Sequence, residues 1–365
     1  MKNLTNTFQG KEVLVTGHTG FKGSWLIAWL KILGANVHGI SNSLPTSPCH
    51  YEVAELNEGI NDYRIDIRNY NEVEKTIIKI NPDFVFHLAA QALVRKSYSN
   101  PIETWETNVN GTLNILESLR KICKKCNAVI ITSDKCYDNV EWIWGYREND
   151  ALGGPDPYSA SKGAAELVIK SHIKSFFPKS QNVRIVSARA GNVIGGGDWA
   201  LDRIVPDCVN AWSKDEILEL RNPHATRPWQ HVLEPLSGYI SLAANLNENI
   251  DLHGHAFNFG PKSNQNKSVL ELVKSMAIYW NQVRIKDVSD TIQGPYESGL
   301  LKLNCDKALA MLKWEAVLDF NSTVRMTAEW YKYYYENPRD ISKISFSQIK
   351  EYCMVAKEKN LEWAQ

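Results

Sequence analysis

The chain has 365 residues, 44% of them hydrophobic and 22% charged, which is enough apolar content for one large core or two ordinary ones. Lysine plus arginine and aspartate plus glutamate both number 41, so no overall field draws nucleic acid or an anionic membrane, and an anionic ligand must be met by a local cluster. The first ten residues lack the apolar core of a signal peptide and no apolar run approaches the roughly 18 residues of a membrane span, so a cytosolic protein is expected.

In chain order, Val13-Leu-Val-Thr-Gly17-His18-Thr19-Gly20-Phe21-Lys22-Gly23 is a short strand opening into a glycine-rich turn, followed by a helical pattern at Leu26, Ile27, Leu30 and Leu33. Such a turn offers backbone N–H groups and a positive helix end to a pyrophosphate. As a bare pattern it also fits an ordinary strand-to-helix turn; its place at the first junction and the motif downstream favour a dinucleotide. Ala35–Ile40 reads as a second strand ending at Ser41-Asn42-Ser43, where many NAD-binding folds carry a carboxylate for the ribose diol. None is present, so this position does not settle NAD against NADP. His18 and Lys22 suit a 2′-phosphate or plain solvent, and NAD is the cofactor expected.

Tyr63–Ile67 reads as a third strand, with Asp66 and Ile67 at its carboxyl end beside an adenine edge. Asp83-Phe-Val-Phe-His87-Leu88-Ala89-Ala90 is a buried strand running into small residues that let a cofactor approach, and His87 reads as a hydrogen-bonded core histidine. After Pro101, the spacing of Trp105, Val109, Leu113, Leu116 and Leu119 predicts a helix. The seven cysteines are scattered apart from Cys123-Lys-Lys-Cys126, and a zinc site needs a second pair that does not follow, so free thiols and no metal are expected.

Ala128–Thr132 is a further buried strand leading directly into Ser133-Asp134-Lys135-Cys136-Tyr137. Polar groups at the carboxyl end of a parallel strand face the ligand crevice. Next, Asp156-Pro-Tyr158-Ser-Ala-Ser-Lys162 starts a helix that puts a phenol and an ammonium four residues apart on one face, where the cation lowers the phenol pKa. Asn182–Ser187 completes the alternation, and the fold class is α/β, a doubly wound parallel Rossmann sheet followed by a smaller, mostly helical C-terminal substrate domain. The division expected is 1–188 for the cofactor and 189–365 mainly for the substrate, with segments near 228–262 returning to the first domain. Arg203, Arg221 and Arg227 read as a bidentate clamp for a diphosphate or as separate surface arginines.

With these residues in view, the chain resembles the extended short-chain dehydrogenase/reductase family, and within it the branch that dehydrates CDP-glucose in bacterial surface-polysaccharide pathways. The resemblance rests on Gly17–Trp25, His87–Gln91, Thr132–Tyr137, Tyr158 with Lys162, Gly191–Trp199 and Arg227–Val232, and it covers nearly the whole chain. It implies that Tyr158 takes the proton of the glucose 4-hydroxyl, Lys162 holds the nicotinamide ribose and the phenolate, and Ser133 binds the 4-oxygen. It further implies that Lys135 or a neighbour removes the C5 proton, that protonated Asp134 helps the 6-hydroxyl leave as water, and that Asn192 and Arg227 hold the diphosphate. Related dTDP-glucose enzymes carry a glutamate where this chain has Lys135, so the identity of the C5 base stays open. A homodimer through the 101–119 and 158–170 helices is expected from the family. A 4-epimerase or 4-reductase of the same family would share the glycine turn, Tyr158 and Lys162 without needing the Asp134-Lys135 pair. A non-catalytic dinucleotide sensor on the same fold could dispense with the tyrosine.

Overall fold

A computed structural model of the chain describes residues 2–262, 265–280, 283–289 and 299–365. Strands β1 (Glu12–Thr16), β2 (Asn36–Ile40), β3 (Asn61–Tyr63), β4 (Phe84–His87), β5 (Cys126–Ile131) and β6 (Val183–Ala190) join the strand Ala256–Phe259 in one seven-stranded sheet. The spatial order is β3, β2, β1, β4, β5, β6 and then Ala256–Phe259, and every neighbouring pair is parallel. The chain runs outward from β1 to β3 and then crosses back to β4, so the order reverses between β1 and β4. In an open parallel sheet that reversal opens a crevice beyond the carboxyl ends of the strands. Thr16 is paired with His87 there, which brings the glycine turn beside Leu88–Ala90.

The strands are continuous apolar runs because both faces of the sheet are covered. Successive side chains point to opposite faces, and the two cores sort accordingly: Val13, Val15, Phe84, Phe86, Val129 and Ile131 enter one, and Leu14, Val85, Ala128 and Ile130 the other. Helix starts are fixed by local chemistry. Asn69 accepts from the Glu72 N–H to begin the helix Tyr70–Ile80, and Asp156 accepts from the Ser159 N–H at 2.9 Å to begin the helix Pro157–Phe176, with Pro157 in its first turn. The second cap sets the register of Tyr158 and Lys162.

Two expectations need correction. The third strand pairs only over Asn61–Tyr63; Asp66 lies beyond it, where its carboxylate accepts the Arg68 N–H at 2.9 Å and turns the chain. The segment after Pro101 is helical but its inward face differs from the apolar spacing. Trp105 is 41% exposed, whereas Thr104, Asn108, Thr112, Ile115 and Leu119 are buried, with a π-helical turn over Glu106–Asn110. Polar residues occupy that face because they have partners: Asn108 accepts from the Gln91 N–H at 2.8 Å and donates to Ser161 Oγ at 2.9 Å.

Beyond Ala190 the chain leaves the sheet. Short strand pairs form between Ile217–Leu220 and Arg284–Asp287, and between Thr226–Pro228 and Asn266–Ser268. The helix Leu233–Glu248 and the strand Ala256–Phe259 then return to the sheet. The last long helices, Phe320–Glu336 and Ile341–Glu358, pack their aromatic residues inward: Trp330 and Tyr331 are fully buried. They dock on the first half of the chain through His50, whose ring nitrogens pair with Ser24 Oγ and Ser345 Oγ, both at 2.9 Å. No helix among the described residues is long and apolar enough to cross a membrane.

Candidate functional site

The glycine turn is shaped by close approach. Gly17 takes φ +73°, and a β-carbon there would stand 2.7 Å from the Ala89 nitrogen; one at Gly23 would stand 2.0 Å from the Gly17 carbonyl oxygen. The turn, the start of the helix Phe21–Ile32 and the Leu88–Ala90 end of β4 are thereby packed into one bare-backbone cradle at the switch point. A cradle that any side chain would fill, at the N-terminus of a twelve-residue helix, suits a dinucleotide pyrophosphate.

Around it, Thr19 Oγ1 donates to the Ser43 carbonyl at 2.8 Å and meets Ser41 Oγ at 2.7 Å, which fixes the end of β2. His18 is fully buried, its Nε2 lies 3.1 Å from Asp62 Oδ1, and its ring occupies the space a side chain at Gly39 would need. Burial pushes its pKa down, with the Asp62 carboxylate opposing. The Asp62 carboxylate on β3 is held by Tyr51 Oη and Arg64 Nη2, both at 2.6 Å. Asp66 borders an open cleft lined also by Arg68, Asn69, Glu106 and Asn110, while Ile67 turns into the core; the Asp66 carboxylate is gripped by Arg68, with Nη2 to Oδ2 at 2.6 Å. His87 is buried and neutral, between Thr16 Oγ1 at 2.7 Å and Thr112 Oγ1 at 3.1 Å, as a core histidine; burial takes its pKa to about 3.

At the end of β5 the chain makes a 3₁₀ turn over Asp134–Cys136. Ser133 caps it by accepting from the Lys135 N–H at 3.2 Å while its hydroxyl donates to Asp134 Oδ1 at 2.9 Å. Asp134 is 3% exposed, and its Oδ2 is a buried atom without a hydrogen-bond partner among the described residues. That oxygen faces Gly191, where a β-carbon would stand 2.8 Å away. Burial raises the Asp134 pKa against the pull of Lys135, Ser133 and Lys22. Lys22, half-buried at the helix start, is drawn down to about 8 by burial, with Asp134 opposing and Arg203 and Lys162 adding to the shift. Sequence reasoning placed Lys22 in the cofactor turn and missed its electrostatic tie to Asp134.

Tyr158 and Lys162 lie on one face of their helix and are both buried. The phenol is not lowered as the spacing suggests. Burial pushes it up to about 12, offset by hydrogen bonding with Ser133 and by the charge of Arg203 rather than Lys162. Lys162 is lowered to about 8 by burial, with the Glu166 carboxylate opposing the shift.

Arg203 Nη1 pairs with Asp198 Oδ2 at 2.6 Å on the Tyr158 side, Arg221 pairs with Asp202 at 2.8 Å, and Arg227 Nη1 donates to the carbonyls of Thr226 and Gly299 at 2.9 and 3.3 Å. Each guanidinium is taken by a partner of its own. Asn192 sits at the Val193–Ile194 strand, its carbonyl accepting from the Gln230 N–H at 3.2 Å. Sequence reasoning also missed the Glu166–Arg189 ion pair behind the turn, although Glu166 continues the four-residue spacing of Tyr158 and Lys162.

The family model described as GDP-mannose 4,6 dehydratase matches residues 14–327. A CDP-glucose 4,6-dehydratase of Salmonella typhimurium is 44% identical over 354 residues, which is 95% of this chain and 97% of that protein. Among solved structures, an epimerase from Methanothermobacter thermautotrophicus aligns with TM-score 0.77 at 24% identity over 93% of this chain and 97% of that one. A UDP-glucuronic acid 4-epimerase from Bacillus cereus, solved with UDP-glucuronic acid and NAD, aligns with TM-score 0.74 at 22% identity over 88% and 98%. The chain therefore belongs to the GDP-mannose 4,6 dehydratase family.

Proposed function

We propose that the protein is an NAD-dependent sugar-nucleotide 4,6-dehydratase that converts CDP-D-glucose to CDP-4-dehydro-6-deoxy-D-glucose. The observation that carries this is the Asp134-Lys135 pair on a turn packed against the Tyr158 helix, with Asp134 buried and its Oδ2 without a hydrogen-bond partner among the described residues. The nearly full-length likeness to a CDP-glucose 4,6-dehydratase supports the choice of base.

Gly17, Gly20 and Gly23, with Leu88–Ala90 behind them, hold the pyrophosphate, and Lys162 holds the nicotinamide ribose. NAD, when bound, supplies the acceptor for the C4 hydrogen and its donor at C6. Tyr158 takes the proton of the 4-hydroxyl, with Ser133 on the same oxygen. Burial raises the phenol's pKa, so this transfer needs positive charge nearby, and Arg203 is the chain's own source. The ketone at C4 acidifies C5–H. Lys135 removes that proton while Asp134 gives its own to the departing 6-hydroxyl, so the pair expels one water and the reaction has no net electron demand. Asn192, Arg203 and Arg227 bind the sugar nucleotide.

A 4-epimerase or 4-reductase needs no acid and base for C5 and C6, and Asp134-Lys135 argues against it. Incubation of the protein with CDP-glucose tests the choice. A 4-keto-6-deoxy product supports the dehydratase; a 4-epimerised sugar, or net consumption of reduced cofactor, supports the alternatives.

The enzyme acts in the cytosol, in deoxysugar synthesis for surface polysaccharide, and works as a homodimer. Tyr98, Ile102, Trp105 and Leu167 remain exposed on helices that pack side by side, which suits a second copy. A monomer by sedimentation at working concentration would rule the dimer out.

A further inference from the structure

Glu166 and Arg189 form a buried ion pair directly behind the Ser133–Cys136 turn, and their hydrogen bonds run to both ends of it. Arg189 donates from Nε to Glu166 Oε1 at 2.9 Å and from Nη2 to Oε2 at 2.8 Å, a bidentate pair with side chains 3% and 4% exposed. The carboxylate also accepts from Thr132 Oγ1 at 2.5 Å and from Ser187 Oγ at 3.0 Å. The third guanidinium nitrogen donates to Tyr137 Oη at 2.8 Å and to the Glu148 carbonyl at 3.0 Å, and the guanidinium lies 4.9 Å from the centre of the Tyr137 ring. Thr132 immediately precedes Ser133 and Tyr137 immediately follows Cys136.

Tyr158, Lys162 and Glu166 follow at four-residue spacing along one helix, so they lie on one face. One carboxylate therefore connects the helix of the tyrosine and lysine to the start of the turn, and its guanidinium partner holds the end. Tyr137 extends the network by donating to Asn258 Oδ1 at 2.8 Å, and Asn258 Nδ2 donates to the Tyr146 and Asn304 carbonyls at 2.8 and 3.1 Å.

A buried ion pair is a poor source of stability, because desolvation offsets the Coulomb attraction and an apolar pair of like volume often serves as well. What it supplies is orientation, since two planar groups joined by two parallel hydrogen bonds have one relative geometry. We propose that Glu166 and Arg189 are positioning residues that lock Ser133, Asp134 and Lys135 against Tyr158 and Lys162. This rests on the dehydratase assignment of the same site. A displacement of about 1 Å between reacting groups lowers turnover about a hundredfold, so an imprecisely held turn would leave substrate bound but chemistry slow.

The test uses Thr132→Val, which removes the tie to Glu166, and Tyr137→Phe, which removes the ties to Arg189 and Asn258, each keeping its shape, and the double variant Glu166→Met/Arg189→Met, which replaces the pair by apolar groups. In the single variants, kcat for CDP-glucose dehydration is expected to fall about 10- to 100-fold, with KM within about threefold of wild type. The melting temperature is expected to fall by no more than about 4 °C. Amide hydrogen exchange over residues 133–137 is expected to speed up while β5 stays protected. The double variant is expected to lose more turnover than either single one. If it fails to fold, the two single variants decide. Turnover within twofold of wild type in both single variants, with exchange at 133–137 unchanged, would overturn the proposal. If the wild-type protein does not dehydrate CDP-glucose, the functional assignment falls instead. The exchange measurement then decides alone: faster exchange confined to 133–137 supports positioning, and unchanged exchange overturns it.

Discussion

Gly23 stands over Gly17 so closely that a β-carbon at Gly23 would lie 2.0 Å from the Gly17 carbonyl oxygen and 2.8 Å from the His18 α-carbon. Both obstacles are backbone, so neither can swing aside. Gly23→Ala must therefore push the first turn of the helix away from the strand it follows. We expect NAD binding to weaken by more than about tenfold, a loss of about 1.4 kcal/mol, measured by calorimetric titration. An unchanged dissociation constant in a folded variant would show that the cradle does not hold the cofactor.

Tyr158→Phe keeps a buried ring and removes only the hydroxyl. Turnover is expected to fall by the roughly 10²–10⁴-fold typical of a lost acid or base group, with the melting temperature and NAD affinity near wild type. Turnover close to wild type would remove Tyr158 from the chemistry.

Lys135 is half-buried next to Asp134, whose pKa burial raises. In Lys135→Met, we expect oxidation at C4 to survive, seen as reduced cofactor retained on the enzyme, while solvent deuterium exchange at C5 stops. Exchange at the wild-type rate would show that another group is the base, even where dehydration is slowed.

Much of this architecture is legible in local pattern. Apolar runs between helical periods specify a two-sided parallel sheet, and the glycine turn, the Asp156 cap and the Ser133 cap are each written within a few residues. What is not legible depends on distant partners. Asn108 and Thr112 lie outside the apolar spacing, yet they turn inward because Gln91 and His87 await them; the apolar Trp105 is displaced outward. The three arginines read as one clamp or as separate surface groups because sequence cannot reveal that Asp198 and Asp202 pair with two of them. Lys162 reads as the charge that lowers the phenol, but burial of both groups outweighs their spacing. Nothing near Glu234 suggests that it clamps a segment more than eighty residues later.

That clamp makes a pH-dependent contribution. Glu234 is buried, accepts from the N–H groups of Val317 and Leu318 and from the Tyr352 hydroxyl at 2.7 Å, and is raised by burial to about 7. Lys359 adds a nearby charge that opposes the shift, as do the hydrogen bonds themselves. A carboxyl whose folded pKa exceeds its unfolded value near 4.5 binds more protons in the folded state. Its stabilising share is therefore full below about pH 4.5 and is lost as pH rises through 7. The loss is of order 3 kcal/mol. Glu234→Gln should lower stability at pH 5 more than at pH 7.5, flattening the decline relative to wild type. Parallel profiles from denaturant melts would show that Glu234 does not titrate in this range.

The central claim is that oxidation at C4 and reduction at C6 occur in one turnover with water lost between them. The most direct test is dehydration of CDP-glucose in heavy water, with absorbance followed at the reduced-nicotinamide band and deuterium located in the product by NMR. The account predicts a 4-keto-6-deoxy sugar carrying solvent deuterium at C5, hydrogen from C4 delivered to C6, and no accumulation of reduced cofactor. Stoichiometric build-up of reduced cofactor, or a product without deuterium at C5, would contradict it.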